Sequence, residues 1–355
     1  SLLCYCKSIS QSFPYTFQTW DAKNGLSTNY CNVIAQDTTG YLYVGTNNGL
    51  YAFNGNNFKT LNYNIISNHI SEGNVEDLIV DKYNRIWFAS IEYGVGLINL
   101  QQKSLQVQYF RPDTTSDRYQ DTKVSKLCFD SKGHLWVGTR GKGLFKFDTA
   151  TRTFTAIPTE NPRSLYNKYI RSLYLYKPDS LFVGLVNGLN IINPLTNRAT
   201  HLKLRLSPGN RSLRPTVRKV LPIANDSFLL ATDRGTFCLK LSEQTLSSIY
   251  TNQQQNIDFA KVVSNDIIRV SENEIWVATE NQGILFYNTI THKFDYSYLT
   301  GTSKYTVPQN FISGFYKDKG GNIWIAQQSG LSLFQTENII FSSVAFTNRD
   351  FFSGS

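Results

Sequence analysis

The chain has 355 residues, 41% of them hydrophobic and 14% aromatic, enough to build a large core; disordered and low-complexity classes are excluded. Thirty-five Lys and Arg against 26 Asp and Glu leave a charge of +9, yet only 17% of residues are charged, so the surface is polar with a mild preference for acidic partners. No apolar run approaches the ~20 residues needed to span a bilayer.

In chain order, residues 1–12 contain Cys4-x-Cys6 and read as the remnant of an export leader. Phe13–Trp20 reads as a lone outer strand. Seven segments then share one pattern: Tyr41–Thr46, Arg85–Ser90, His134–Thr139, Ser180–Leu185, Ser227–Thr232, Glu274–Thr279 and Asn322–Gln327. Each places a large residue in a reference column, namely Tyr43, Trp87, Trp136, Phe182, Leu229, Trp276 and Trp324, at steps of 44 to 49 residues. Nine residues before that column stand Ile34, Leu78, Leu127, Leu173, Val220, Ile267 and Phe315; twelve before it stand Cys31, Val75, Val124, Ile170, Val217, Ser264 and Ile312. This unbroken spacing predicts two strands joined by a fixed hairpin, with Asp37, Asp130 and Asp318 starting its turns.

A third strand is expected from Leu50, Leu97, Leu144, Leu189, Thr236, Ile284 and Leu331, and a fourth about ten residues later. Four short antiparallel strands repeated seven times predict an all-β, seven-bladed β-propeller over residues 13–338. The N-terminal strand is expected to close the ring; Ile339–Phe346 competes for that slot, and residues 339–355 otherwise read as a linker or the start of a following domain. The small residue two positions after the reference column is expected to let blades approach closely.

Gly25-Leu-Ser-Thr-Asn-Tyr-Cys-Asn-Val-Ile-Ala-Gln-Asp37, followed by Gly40-Tyr-Leu-Tyr-Val-Gly-Thr-Asn-Asn-Gly-Leu50 and Phe53-Asn-Gly55, resembles the two-component regulator propeller repeat. The resemblance implies an N-terminal, periplasmic sensor propeller of a hybrid histidine-kinase receptor that regulates polysaccharide use. It also implies a second propeller, a β-sandwich, a membrane helix and the kinase elsewhere in a homodimeric receptor. No enzymatic role, cofactor, metal or nucleic acid is expected for this fragment.

Loop lengths point to a recognition face. The interval from the reference column to the Gly-Leu position varies, at 7, 10, 8, 7, 7, 8 and 7 residues, and those loops share a face with the long connections between blades. Blade two is expected to have the longest loop, exposing Tyr93. Basic residues cluster in blades three to five: Lys126, Arg171, Arg218 and Lys219 start inner strands, and Arg140, Lys142 and Arg234 lie in loops. Blades one, two and six offer Asn47, Asn48, Glu76, Asp77, Asp266, Glu280 and Asn281. The candidate ligand set is Tyr93, Lys126, Arg140, Lys142, Arg171, Asn187, Arg218, Arg234 and Asn281, for a polar oligosaccharide, acidic or neutral, with cations on any carboxylate or sulfate and Tyr93 on a sugar face. A scaffold or dimerisation propeller with no ligand is the alternative. Catalysis is the third class, but His69, His134, His201 and His292 are scattered, and no two carry metal-ligand spacing.

Overall fold

The computed structural model describes residues 15–26, 30–61, 73–102, 106–112, 123–159, 165–249, 261–298, 309–328 and 330–336. Among them are seven sheets, antiparallel throughout except for one added strand in blade five. Their inner strands are Cys31–Gln36, Val75–Val80, Val124–Phe129, Ile170–Lys177, Val217–Ala224, Ser264–Arg269 and Ile312–Lys317, and each touches the next around a closed ring. The chain is a seven-bladed propeller. The expected leader (1–12) and following segment (339–355) lie outside the described residues.

Closure uses the N-terminal strand, as the sequence predicts. Tyr15–Trp20 pairs antiparallel with Gly330–Thr336 from Tyr15↔Thr336 to Trp20↔Leu331, completing the seventh sheet. Trp20 then packs against Phe53 of blade one and Trp324 of blade seven, with ring centroids 5.1 and 5.5 Å away. One buried indole therefore spans the seam.

The repeated residues have separate jobs. The second strands are buried along almost their whole length, because each sheet is covered on both faces by its neighbours. The small residue after the aromatic sits where the next blade presses in: a Cβ on Gly45 would meet Val75 Cγ1 at 2.6 Å, and one on Gly138 would meet Ile170 Cγ2 at 2.6 Å. The Thr that follows is a loop anchor. Thr139 Oγ1 donates to the Gly143 carbonyl at 2.8 Å and accepts from Lys142 N at 3.0 Å; Thr279 does the same with Gly283 and Gln282.

Two details differ from the sequence expectation. In blade two the register runs Ala89↔Val95 and Phe88↔Gly96, so Val95 occupies the place of Leu50 and Leu144, not Leu97. In that register the hairpin is no longer than those of blades three and six, and the loop itself is only Ile91, Glu92 and Tyr93. Blade five carries six strands: the connection from blade four forms a hairpin, Arg205–Ser207 with Arg211–Ser212, whose first strand lies parallel to Thr245–Ser248.

Every inner strand breaks register at one shared place, and those of blades four and five break again near their far ends. The shifts fall between Cys31 and Val33, Val75 and Asp77, Val124 and Lys126, Ile170 and Ser172, Val217 and Lys219, Ser264 and Asp266, and Ile312 and Gly314. A β-bulge leaves one residue out of the ladder and re-aims its side chain. The propeller thus repeats one bulge seven times around its axis.

Candidate functional site

The bulged residues are Asn32, Glu76, Ser125, Arg171, Arg218, Asn265 and Ser313, one per blade. All seven line a cavity of about 240 Å³ at the mouth of the central channel. Tyr30, Lys126, Arg140, Glu280 and Phe311 complete most of its wall. A second cavity of about 300 Å³ lies further along the channel and is lined by the next residue of every blade, including Asp77, Lys126, Lys219 and Asp266.

The mouth is electrically lopsided. Arg140 Nη2 donates to Glu76 Oε2 at 2.5 Å, and Arg218 Nη1 donates to Glu280 Oε1 at 2.6 Å and also to Asn265 Oδ1. Arg171 lies between these pairs and makes neither an ion pair nor a hydrogen bond among the described residues. Burial holds its pKa below the usual guanidinium range, and the neighbouring charges of Arg140 and Arg218 add to that; it is nonetheless a permanent cation. Lys126 likewise has no ion pair or hydrogen bond there. Four cations therefore face two carboxylates that are already engaged.

Unused hydrogen-bonding capacity lies at the same place. Arg140 Nε, Arg218 Nε and Ser313 Oγ are buried without a partner. Such groups are rare in folded proteins because each costs the free energy of a lost hydrogen bond. Across the ring from blade four, at the seam of blades seven and one, Tyr30 and Phe311 stand together with centroids 5.8 Å apart. Burial raises the Tyr30 pKa, helped by Glu76 and Glu280, so the ring stays a neutral phenol. One wall is cationic and the other aromatic.

The deeper acids are structural. Asp77 Oδ2 accepts from Leu127 N of the next blade at 2.9 Å, and Asp266 Oδ2 accepts from Phe315 N at 2.9 Å. Lys219 Nζ is 2.9 Å from Asp266 Oδ1, and that carboxylate raises the lysine pKa, keeping it charged. The described histidines are also engaged locally: His134 Nδ1 lies 3.0 Å from Asp130, His201 stacks on Tyr166, and His292 Nδ1 lies 3.1 Å from the Tyr287 hydroxyl, while His69 lies outside the described residues.

Of the sequence-predicted set, Lys126, Arg140, Arg171 and Arg218 converge on the mouth. Asn187 and Arg234 line a different recess on the same face. Lys142 and Asn281 are exposed and line neither cavity. Tyr93 corrects the expectation: it is half-buried, with its ring 5.6 Å from Tyr109 and pressed against Gly73, so it presents no open face in this cavity. Residues the sequence reading missed are Tyr30, Asn32, Ser125, Asn265, Phe311 and Ser313. The position after the column Cys31, Val75, Val124 would have found four of them.

The profile of the two-component regulator propeller matches residues 118–141, inside the third of these seven repeats. Residues 118–141 thus carry the two-component regulator propeller repeat. The chain is 26% identical over 175 residues to histidine kinase P4 of Formosa agariphila, a match that covers 47% of the chain and 12% of the kinase. Its fold superposes with a TM-score of 0.75 on the extracellular domain of a hybrid two component system of B. thetaiotaomicron, at 22% identity, covering 91% of this chain and 42% of that one. Streptogramin B lyase has the same fold at 14% identity and a TM-score of 0.65, over 90% of this chain and 97% of the lyase. The chain therefore spans less than half of the extracellular domain it resembles and a small part of the kinase.

Proposed function

We propose that the propeller is the periplasmic sensor of a hybrid histidine-kinase receptor for polysaccharide use, and that the channel mouth binds an oligosaccharide carrying an acidic group. The repeat match, the histidine-kinase relative and the extracellular domain of similar fold support the sensor role. A second propeller, a β-sandwich and a partner subunit would then belong to the rest of the receptor.

The observation that supports a ligand is Arg171. A half-buried cation crowded by Arg140 and Arg218, which Glu76 and Asp233 offset only in part, is stabilised by an arriving anion. A carboxylate or sulfate there meets a bidentate guanidinium fork, with Arg140 Nε, Arg218 Nε and Ser313 Oγ as further donors. Tyr30 and Phe311 opposite would take the apolar face of a sugar ring. Calorimetric titration with uronic-acid and neutral oligosaccharides tests this. Binding of an acidic glycan that Arg171→Ala abolishes supports the reading; equal affinity in wild type and Arg171→Ala, or no binding of any glycan, overturns it.

A further inference from the structure

The second recess on the same face lies off the axis, between blades four and five. It encloses about 340 Å³ and is lined by Tyr166, Asn187, Arg211, Ser212, Arg214 and Arg234, together with Leu213. Asn187 and Arg234 lie in the loops between second and third strands of adjacent blades, and Arg211 and Arg214 come from the added hairpin and the segment after it. No carboxylate lines it. None of its three arginines makes an ion pair among the described residues. The connection that builds it, residues 202–216, carries Lys203, Arg205, Arg211 and Arg214 and no acid.

The recess is also held in shape before any ligand comes. The Tyr166 ring stacks on His201 with centroids 4.4 Å apart and planes 14° from parallel, and His201 Nδ1 is 3.2 Å from Asn190 Oδ1. Arg214 Nη1 donates to the Tyr166 hydroxyl, and the guanidinium carbon lies 4.9 Å from the ring centre. Arg234 N donates to Thr232 Oγ1 at 3.1 Å, which fixes the loop beneath its side chain. Clustering three like charges is unfavourable in the empty protein, and anchoring them lowers the entropy lost when a ligand binds.

From this we infer that the recess between blades four and five is a second binding site, separate from the channel mouth, for a saccharide bearing two or more sulfate or carboxylate groups. Three guanidinium groups at different points of the wall match several acidic groups, where a lone oxyanion would engage one or two. Ser212 and Asn187 supply hydroxyl and amide partners for sugar oxygens. The volume suits more than a bare inorganic ion, and the concave wall suits an inserted group more than a flat acidic protein surface.

The test is calorimetric titration of the whole chain with sucrose octasulfate, inorganic sulfate and sucrose at physiological salt. The octasulfate is expected to bind at least tenfold more tightly than inorganic sulfate, and sucrose not at all. Arg211→Ser, Arg214→Ser and Arg234→Ser are each expected to weaken it about tenfold or more, as for loss of a charge-assisted pair. Lys203→Ser and Arg205→Ser, outside the recess, are expected to change it less than about threefold. Equal losses at all five positions would show unspecific polyanion attraction and overturn the site. So would no octasulfate binding, or loss only on Arg171→Ala, which would place the polyanion in the channel mouth. All five side chains are exposed or half-exposed, and an unchanged thermal midpoint confirms that each variant is folded.

Discussion

Asp130 Oδ2 accepts the indole N–H of Trp136 at 3.1 Å, while Oδ1 of the same carboxylate accepts Lys132 N and His134 N at 2.9 and 3.0 Å. One acid six residues ahead of the reference column thus closes the hairpin turn and fixes the large ring between blades. Asp81 with Trp87 (2.9 Å) and Asp318 with Trp324 (2.8 Å) repeat the arrangement, and Asp37 holds the Tyr43 hydroxyl at 3.1 Å.

Asp130→Ala strands several donors at a site where Asp130 and Trp136 are both buried. Each unsatisfied buried donor costs about 1–3 kcal/mol. Urea unfolding is expected to show a loss at least that large, with Asp148→Ala, at an exposed turn, losing less.

Acid sensitivity follows from the same carboxylate. Burial pushes the Asp130 pKa up, but hydrogen bonds from Trp136 and His134 outweigh it, and the net shift is downward. A depressed carboxyl contributes stability above its unfolded pKa and loses it as pH falls through the folded one. The thermal midpoint is expected to fall below about pH 4, and Asp130→Asn is expected to flatten that limb.

Blade six inverts the sign. Glu274, two residues before Trp276, accepts its indole N–H at 2.6 Å, yet burial raises the Glu274 pKa. A raised carboxyl costs stability once pH exceeds its unfolded pKa. Glu274→Gln keeps an acceptor and removes the charge, so it is expected to be neutral or stabilising at pH 7. A clear loss of thermal midpoint at pH 7 would refute this.

Gly138→Val is expected to cost about 1–3 kcal/mol by forcing blades three and four apart, as overpacking does. A Cβ there already sits 2.6 Å from Ile170 Cγ2. Equilibrium denaturation checks the magnitude.

Arg171→Ala separates stability from recognition. Removing a charge crowded by Arg140 and Arg218 is expected to leave the thermal midpoint of the empty protein unchanged or higher at low salt. Acidic-glycan binding is expected to vanish in the same variant. A lower midpoint would show that Arg171 supports the fold.

The scaffold was legible because its period is written in bulky residues: Trp87, Trp136, Trp276 and Trp324 cannot be moved without opening a gap between blades. The closing strand was legible too, since Tyr15–Trp20 had no earlier blade to join. The mouth was only half legible. Lys126, Arg171 and Arg218 stood out by charge, but Asn32, Ser125 and Ser313 look like ordinary strand-end residues until the bulge turns them inward. Tyr93 misled because Gly94 and Gly96 suggested an exposed loop, when the hairpin ladder continues through both. The recess at Arg211 and Arg214 escaped notice because a hairpin added parallel to Thr245–Ser248 depends on contacts far apart in the chain.

The repeated bulge has a consequence for how this class of protein diversifies. The seven side chains at the rim belong to no ladder pair; Asn32, Ser125 and Asn265 also tie to backbone carbonyls of the next blade, whereas Arg171 and Ser313 carry no such tie among the described residues and can be exchanged with little disturbance to the sheet that bears them. Chemical selectivity can therefore be rewritten at those untied spokes, much as tumblers are recut in a lock whose barrel stays the same.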